Sequence, residues 1–322
     1  MSFQFRNFDF SESDYAQVIA IWNGEHPHNK TEIHEYRYQD KERNPDYFWQ
    51  RVVAEMNGRV IGYGIYCETW WSARPGKYHL KFITHPDYRQ QGIASAFYER
   101  VLEILTARGE VNLLTTNTYE NKLDAIHFLH KRGFEQVMRF PVSHLDVPCF
   151  HGAAYSSLEM KMQQHGVRIC SLAELMPTDP NWMQKLYDLE WEIEQDVPLP
   201  EPPTQEPFAE YKKFVDSPNF LPEGYFVAIA GDDAYVGTSA LWCSTADPTK
   251  MYTGLTGVTR SHRRQGIATA MKVRAIQYAQ RQGVAIIETD NEENNPMYQL
   301  NLQLGFAPQP AELDFHKDMM EA

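Results

Sequence analysis

The sequence has little or nothing of several features that would place it in a specialised class of protein. Its four cysteines, Cys67, Cys149, Cys170 and Cys243, lie far apart and form no C-x-x-C pair. This spacing argues against a zinc site or a disulfide framework and favours a reducing compartment. No run of 18 apolar residues occurs, and residues 1–14 contain no apolar signal core. We therefore expect neither a membrane span nor a secretory leader.

Positive charge is also scarce, because 30 lysines and arginines stand against 43 aspartates and glutamates, giving a net charge of −13. Proteins that bind nucleic acids are usually basic. We expect a soluble cytoplasmic protein with no metal, no membrane and no nucleic-acid partner. The negative charge favours a cationic small molecule or peptide as partner, although solubility alone also explains it. The composition leaves the oligomeric state open.

What the sequence does contain suffices for two globular domains. Its 322 residues fit two domains of ordinary size. A hydrophobic content of 43% and an aromatic content of 13% support packed cores. We predict an N-terminal domain over residues 1–164 and a C-terminal domain over residues 165–322.

One six-residue motif occurs twice. Residues 89–94 read RQQGIA, and residues 263–268, 174 positions later, read RRQGIA. Each copy follows a strand-like run and opens a helix-like run. The first N–H groups of a helix have no partner within it, and the helix dipole favours an anion there. The glycine lets the backbone approach a ligand and the arginines add charge, so the motif predicts two phosphate-binding turns.

The elements around the two turns repeat in the same order. Each half is predicted to contain a strand, the arginine turn, a helix, a second strand, a second helix and a closing Gly-Phe. The closing pairs, Gly133-Phe134 and Gly305-Phe306, are 172 residues apart. A nearly constant offset indicates duplication. The chain is therefore predicted to contain two copies of one α+β nucleotide-binding fold.

The turns resemble the [RQ]-x-x-G-x-[GA] acetyl-CoA loop of the GNAT superfamily of N-acetyltransferases. Residues 256–258 before the second turn, and residues 291–297 before Leu304-Gly305-Phe306, extend the resemblance to tandem acetyltransferases of the mycothiol synthase type. The resemblance implies two tandem domains, each a mixed, mainly antiparallel sheet with helices on both faces. It also implies that strands 251–258 and 285–289 separate to admit the pantetheine arm, and that a backbone N–H meets the thioester oxygen.

The same resemblance implies which residues hold acetyl-CoA. In the second half these are Val258, Arg263, Arg264, Gln265, Gly266, Ile267, Ala268 and Asn294, and in the first half Arg89, Gln91, Gly92 and Ala94. Asn294 has an alternative interpretation as the N-cap of the helix that begins at Pro296. We expect the C-terminal domain to be catalytic and the N-terminal domain to be a degenerate or structural copy.

The family's usual general acid is a tyrosine four residues before the glycine of the closing Gly-Phe. Leu129 and Asn301 occupy those positions here, and neither can deliver a proton as a phenol does. Tyr298 lies three residues before Asn301 on a similar side of the helix, so it is our candidate acid. Alternatively, Tyr298 is a packed aromatic residue and the thiolate leaves unaided, since a thiol pKa is only about 8.5.

An acidic, proline-rich segment over residues 190–210 lies where the family places the mouth of the acceptor site. Its prolines exclude a helix after Val197. We predict that Glu194 and Asp196 contact a cationic acceptor, since attack requires an ammonium to lose a proton. The alternative is that the segment is a solvated acidic loop.

The function that these features favour is acetyl transfer from acetyl-CoA to a primary amine of a small molecule or peptide, by direct attack on the thioester. The alternative is a CoA- or acyl-CoA-binding sensor or scaffold without transfer activity, which the missing tyrosines support. A nucleotide hydrolase is disfavoured because the sequence lacks a G-x-x-x-x-G-K-[ST] loop.

Overall fold

The computed structural model describes residues 2–231 and 233–320 and divides the chain into two compact units. Unit 1 comprises the residues up to Met138 together with those from Glu312 onward, and unit 2 comprises Arg139–Ala311. Within the described residues, no helix is both long enough and apolar enough to cross a bilayer.

Strands and helices follow one another in the order predicted, with additional helices in the earlier part of each half. The first elements in the chain are β1 (Gln4–Asn7), α1 (Glu12–Glu25), α2 (Ile33–Lys41), β2 (Trp49–Met56), β3 (Arg59–Glu68), β4 (Lys77–Thr84), α3 (Ile93–Arg108), β5 (Leu113–Tyr119), α4 (Leu123–His130), β6 (Glu135–Phe140), β7 (Val142–Asp146) and α5 (Leu158–Gln164). They are followed by β8 (Arg168–Ser171), α6 (Leu172–Leu175), α7 (Trp182–Glu194), α8 (Phe208–Tyr211), β9 (Tyr225–Ile229), β10 (Tyr235–Cys243), β11 (Lys250–Val258), α9 (Ile267–Arg281), β12 (Ile286–Asp290), α10 (Pro296–Gln303), β13 (Ala307–Pro308) and β14 (Glu312–Asp318).

Each unit contains one seven-stranded sheet, and each sheet contains a strand from the other half of the sequence. The order in unit 1 is β1-β2-β3-β4-β5-β14-β6, and in unit 2 it is β13-β7-β12-β11-β10-β9-β8. Strand β14, at the end of the sequence, thus lies between β5 and β6. Strand β7, from the first half, lies between β12 and β13. The predicted domain boundary at 164/165 therefore differs from the observed division.

The parallel pair in the middle of each sheet separates, as predicted. Strands β11 and β12 are paired from Lys250/Ile286 to Tyr252/Glu288, yet β11 continues to Val258. In unit 1, β4 and β5 are paired from Lys77/Leu113 to His79/Thr115, and β4 continues to Thr84. We call the last paired residues the vertex of each cleft.

Helices cover both faces of each sheet. In unit 2, Leu186 and Leu189 of α7 pack with Tyr225 and Val227 of β9. Helix α9 packs on the opposite face, where it meets the alternate β9 residues Phe226 and Ala228. In unit 1, α1 and α3 likewise pack against neighbouring, oppositely directed β2 residues. The predicted α+β architecture is thereby confirmed in both units.

Candidate functional site

The two arginine turns have the same backbone conformation. Gln90 and Gly92 in unit 1, and Arg264 and Gly266 in unit 2, all have positive φ, between 59° and 86°. Gly92 and Gly266 are the N-caps of α3 and α9, and neither forms a side-chain cap within the described structure. Alternating left-handed residues at an uncapped helix start direct successive N–H groups into one concavity. This geometry fits a pyrophosphate.

The first arginine of each turn is held away from the concavity by its own unit. The guanidinium group of Arg263 donates to the carbonyl of Val258 at 3.0 Å and forms an ion pair with Asp196. Arg89 occupies the corresponding position and pairs with Glu25, at the end of α1. Arg263 thus connects the end of β11 to the residues that follow α7, and Arg89 connects the end of β4 to the end of α1. The backbone N–H groups of each turn are left to meet a phosphate.

Asp196 therefore has a different environment from the one predicted. Its carboxylate pairs with both Arg260 and Arg263. Hydrogen bonds from Arg260 and then Arg263 hold the pKa of Asp196 far below its usual range. A carboxylate in this state accepts protons poorly and is already neutralised by cations of its own chain. Its position fits support of the phosphate turn better than contact with an amine.

Glu194, two residues earlier, keeps the properties that an acceptor contact needs. Partial desolvation, followed by the charges of Glu190 and Glu206, raises the pKa of Glu194 to about 7, although the residue remains solvent-exposed. Solvent access moderates this shift. A carboxyl group that exchanges protons near neutral pH suits both cation binding and proton transfer.

The neighbouring Glu190 is buried and serves a structural role. It accepts hydrogen bonds from Tyr211, at 2.7 Å, and from Tyr225. Burial raises the pKa of Glu190 in spite of these bonds. The tyrosines thereby fix α7 against β9 and the segment that carries α8. This segment follows the proline-rich stretch, which contains no described helix before Phe208, as the prolines predicted.

Strand β11, the central strand of unit 2, contains a β-bulge at the cleft. Leu241 pairs with Thr253, but Ser239 pairs with Thr256, so Gly254 and Leu255 together face a single residue of β10. A bulge turns a backbone N–H out of the sheet ladder. Sequence reasoning located the strand but not the bulge, for which Gly254 inside a central strand was the available signal.

Unit 1 has no such bulge across its described β3–β4 pairs, which run in one register from Gly62/Thr84 to Glu68/Tyr78. It has instead a cavity of about 810 Å³ between its separated strands. The cationic residues lining the cavity are Lys81, Arg89, Lys122, Lys131 and Arg132. The turn at Gly92 opens into the same cavity, where no described atom lies within 4 Å of an added Cβ. The N-terminal cleft is therefore open.

Helix α10 positions the predicted acid and its neighbours. Asn301 is completely buried, and its Nδ2 donates to Oδ1 of Asn291 at 2.6 Å. Tyr298 is half-buried one turn earlier. The N-cap of α10 is Asn295, whose side chain accepts from Met297 N–H at 2.9 Å. The capping interpretation of Asn294 is therefore wrong. Its amide donates to Glu292 at 2.8 Å.

Comparisons with known proteins agree with this geometry. The family model described as "Acetyltransferase (GNAT) family" matches residues 15–134 and 183–306. An acetyltransferase of Yersinia pestis is 35% identical over 105 residues, covering 31% of this chain and 67% of that protein. An acetyltransferase of Sodalis glossinidius is 35% identical over 110 residues, covering 33% of this chain and 71% of the relative.

Solved structures share the tandem fold over nearly the full length. A tandem GNAT protein from the clavulanic acid biosynthesis pathway has a TM-score of 0.77 at 17% identity, with 98% of both chains covered. A GCN5-related N-acetyltransferase from Sphaerobacter thermophilus has a TM-score of 0.69 at 16% identity, with 98% of this chain and 95% of the other covered. At these identities the likeness extends to the fold alone.

Proposed function

This chain belongs to the acetyltransferase (GNAT) family and is an acyltransferase, and from that premise we propose that unit 2 moves an acetyl group from acetyl-CoA to a primary amine. The acceptor is a small molecule or a peptide. Its amine attacks the thioester directly, without an acetylated enzyme intermediate.

The observation that supports this proposal best is the arrangement of β11. The strand separates from β12 after Tyr252, bulges at Gly254-Leu255 and leads into the uncapped turn at Gly266. A bound pantetheine arm would follow the strand while its pyrophosphate meets the turn. A bulged N–H at the thioester oxygen would stabilise the negative charge of the tetrahedral intermediate.

Other residues of unit 2 would divide the remaining tasks. Glu194 would attract and orient the ammonium group of the acceptor. Tyr298 would protonate the departing thiolate. Asn294 would contact the pantetheine, and Asp196 would hold Arg263 beside the phosphate turn. Buried Asn301 occupies the family's acid position without an acidic proton, so it would serve to shape the helix.

The direct test is release of CoA thiol from acetyl-CoA in the presence of a panel of primary amines. The panel should contain diamines, amino sugars and peptides with free N-termini. Amine-dependent release with matching N-acetylated product, identified by mass spectrometry, is expected. Acetyl-CoA binding without release for any amine would contradict acetyl transfer.

Unit 1 supports a second candidate function, which is acyl-CoA binding without transfer. Its cleft is open and lined by five lysines and arginines and three carboxylates, but its central strand pairs with β3 without a bulge. Calorimetry separates the two roles. A non-catalytic binding site in unit 1 would raise the stoichiometry to two CoA molecules per chain, whereas turnover would depend on unit 2 alone.

A further inference from the structure

Each exchanged strand places a histidine beside the vertex of the cleft that it joins. In unit 2, His144 of β7 lies directly across from Glu288 of β12, which pairs with Tyr252 of β11. In unit 1, His316 of β14 lies across from Thr115, which pairs with His79. The sequence analysis did not single out either His144 or His316.

The two histidines are equivalent in the duplication. They are 172 residues apart, the same offset as the closing Gly-Phe pairs, and both begin an H-x-D sequence, His144–Asp146 and His316–Asp318. The residues opposite them differ, however, because Glu288 corresponds to Thr115. Across from these histidines, the described strands thus place a carboxylate in unit 2, the unit with the bulged central strand, and a threonine in unit 1.

The carboxylate of Glu288 orients His144. Its Oε2 lies 2.6 Å from Nε2 of His144 and 2.7 Å from Nζ of Lys250. Burial raises the pKa of Glu288, but the hydrogen bonds and charges of His144 and Lys250 outweigh it and lower the pKa overall. An ionised carboxylate that accepts Nε2–H leaves Nδ1 as the basic nitrogen of a neutral imidazole.

The pair lies on the face of the sheet where the acceptor is proposed to bind. Leu145 and Ile287 belong to the core under α9, so their neighbours His144 and Glu288 project from the opposite face. That face also carries Trp242, across from Tyr252, and it is the face against which α7 packs. The side chain of His144 is 21% exposed, which permits proton exchange.

From this arrangement we infer that His144 is the general base of unit 2 and that Glu288 is its positioning residue. The inference rests on the proposed acetyl transfer. The ammonium of the bound acceptor first loses one proton to solvent, which gives the neutral amine that attacks the thioester carbon. Nδ1 of His144 then takes the second proton from the acceptor nitrogen as the new C–N bond forms. The C–S bond then breaks, the CoA thiolate leaves, and it takes a proton from Tyr298 or water. Glu194 binds the acceptor at the mouth, whereas His144 acts at the vertex.

Steady-state kinetics of the full chain, with an amine found in the panel, test this assignment. Substitution H144Q should lower kcat by about 10²-fold or more, the usual contribution of a general base. The acceptor KM and the acetyl-CoA dissociation constant should change less than threefold. Substitution E288Q should lower kcat by at least tenfold with the same unchanged KM. If the His144–Glu288 ion pair were purely structural, either substitution would instead lower thermal stability and leave kcat intact.

The chain offers a matched control in H316Q, which removes the equivalent imidazole from the other exchanged strand and should keep wild-type kcat. Added imidazole should restore part of the rate of H144G and none of the rate of E288Q. If H144Q does not fold, the kcat of E288Q tests the inference. Wild-type kcat in E288Q, or in a folded H144Q, overturns the inference while the proposed function stands. A wild-type protein inactive with every amine refutes both.

Discussion

Units 1 and 2 keep the same cleft but differ at the point where chemistry would occur. Both have separated parallel strands, the same left-handed turn and an uncapped helix. Unit 2 adds the bulge in β11 and the carboxylate of Glu288 at the vertex. In unit 1 the central strand is regular, and burial lowers the pKa of His79 to about 3, so its imidazole is neutral.

Under the proposed roles, cofactor binding and catalysis have separate structural requirements in this fold. Phosphate recognition needs a turn and a helix start, both of which the six-residue motif encodes locally. Catalysis needs a backbone donor and titratable groups at the vertex, and these depend on neighbouring strands. A duplicated unit can therefore lose the groups at the vertex and keep the phosphate-binding turn.

The largest expected effect comes from the two turn glycines. G266E should reduce turnover by more than about 10²-fold, since a carboxylate would meet the pyrophosphate where backbone N–H groups should approach, at a residue with φ +86°. G92E should abolish one of two CoA binding events in calorimetry and leave kcat nearly unchanged. Equal loss of turnover from both variants would show that the units do not divide the work as proposed.

The next largest effect is expected from substitution of the proposed acid, Tyr298. Y298F should lower kcat by about 10²-fold with an unchanged acetyl-CoA dissociation constant, because a proton donor acts in the transition state. The corresponding position in unit 1 provides the control, since Ile126 stands seven residues before Gly133 as Tyr298 stands before Gly305. I126A should leave kcat unaltered. A Y298F variant with full turnover would mean that the thiolate leaves unaided.

Substitution of Glu194 in the proposed acceptor mouth should have a weaker effect, which is seen in the acceptor KM and depends on pH. Desolvation, followed by the charges of Glu190 and Glu206, raises the pKa of Glu194 to about 7. Its carboxylate form, which binds a cation, is therefore lost as pH falls through 7. The acceptor KM should therefore rise below pH 7. E194Q should raise KM by about tenfold, or about 1.4 kcal/mol, and remove this pH dependence.

Substitution of Asp196 distinguishes a role in the acceptor mouth from a role in the phosphate turn. D196N releases Arg260 and Arg263, so we now expect it to weaken acetyl-CoA binding and not acceptor binding. KM values for both substrates, measured at low and high salt, distinguish the variants. An increase confined to the acceptor KM of D196N would restore the original prediction that this residue contacts the amine.

The smallest effect concerns the sixth residue after each turn glycine, Tyr98 in unit 1 and Lys272 in unit 2. Burial lowers the pKa of Lys272 to about 7, so the folded state opposes a charge that the unfolded chain carries up to about pH 10.4. This cost to the free energy of folding has its full size below pH 7 and vanishes as the pH rises to about 10.4. K272M should raise Tm by a few degrees at pH 7 and less at pH 10. The reverse order would contradict the buried-charge explanation.

Local patterns predicted much of the molecule correctly. The dipeptide Asn57-Gly58, which predicts a tight hairpin turn, adopts the positive φ values of such a turn. The helical spacing of Ile267, Ala270, Met271 and Ala275 predicts one apolar face, and these residues form the buried face of α9. The turn at Gly266 and the helix beginning at Pro296 also lie where the sequence placed them. Each of these features depends on residues within a few positions of one another.

The tertiary structure alone decided how distant segments combine. The element order predicted from the sequence ended at the closing Gly-Phe of each half, and it did not indicate that β7 and β14 would join the opposite sheets. It identified Asp196 as acidic, but not that Arg260 and Arg263 would neutralise it. It left His144 and Glu288 as unremarkable residues 144 positions apart. Strand exchange, the bulge and these ion pairs depend on hydrogen bonds and charges between remote residues, whose partners are set only when the sheets form.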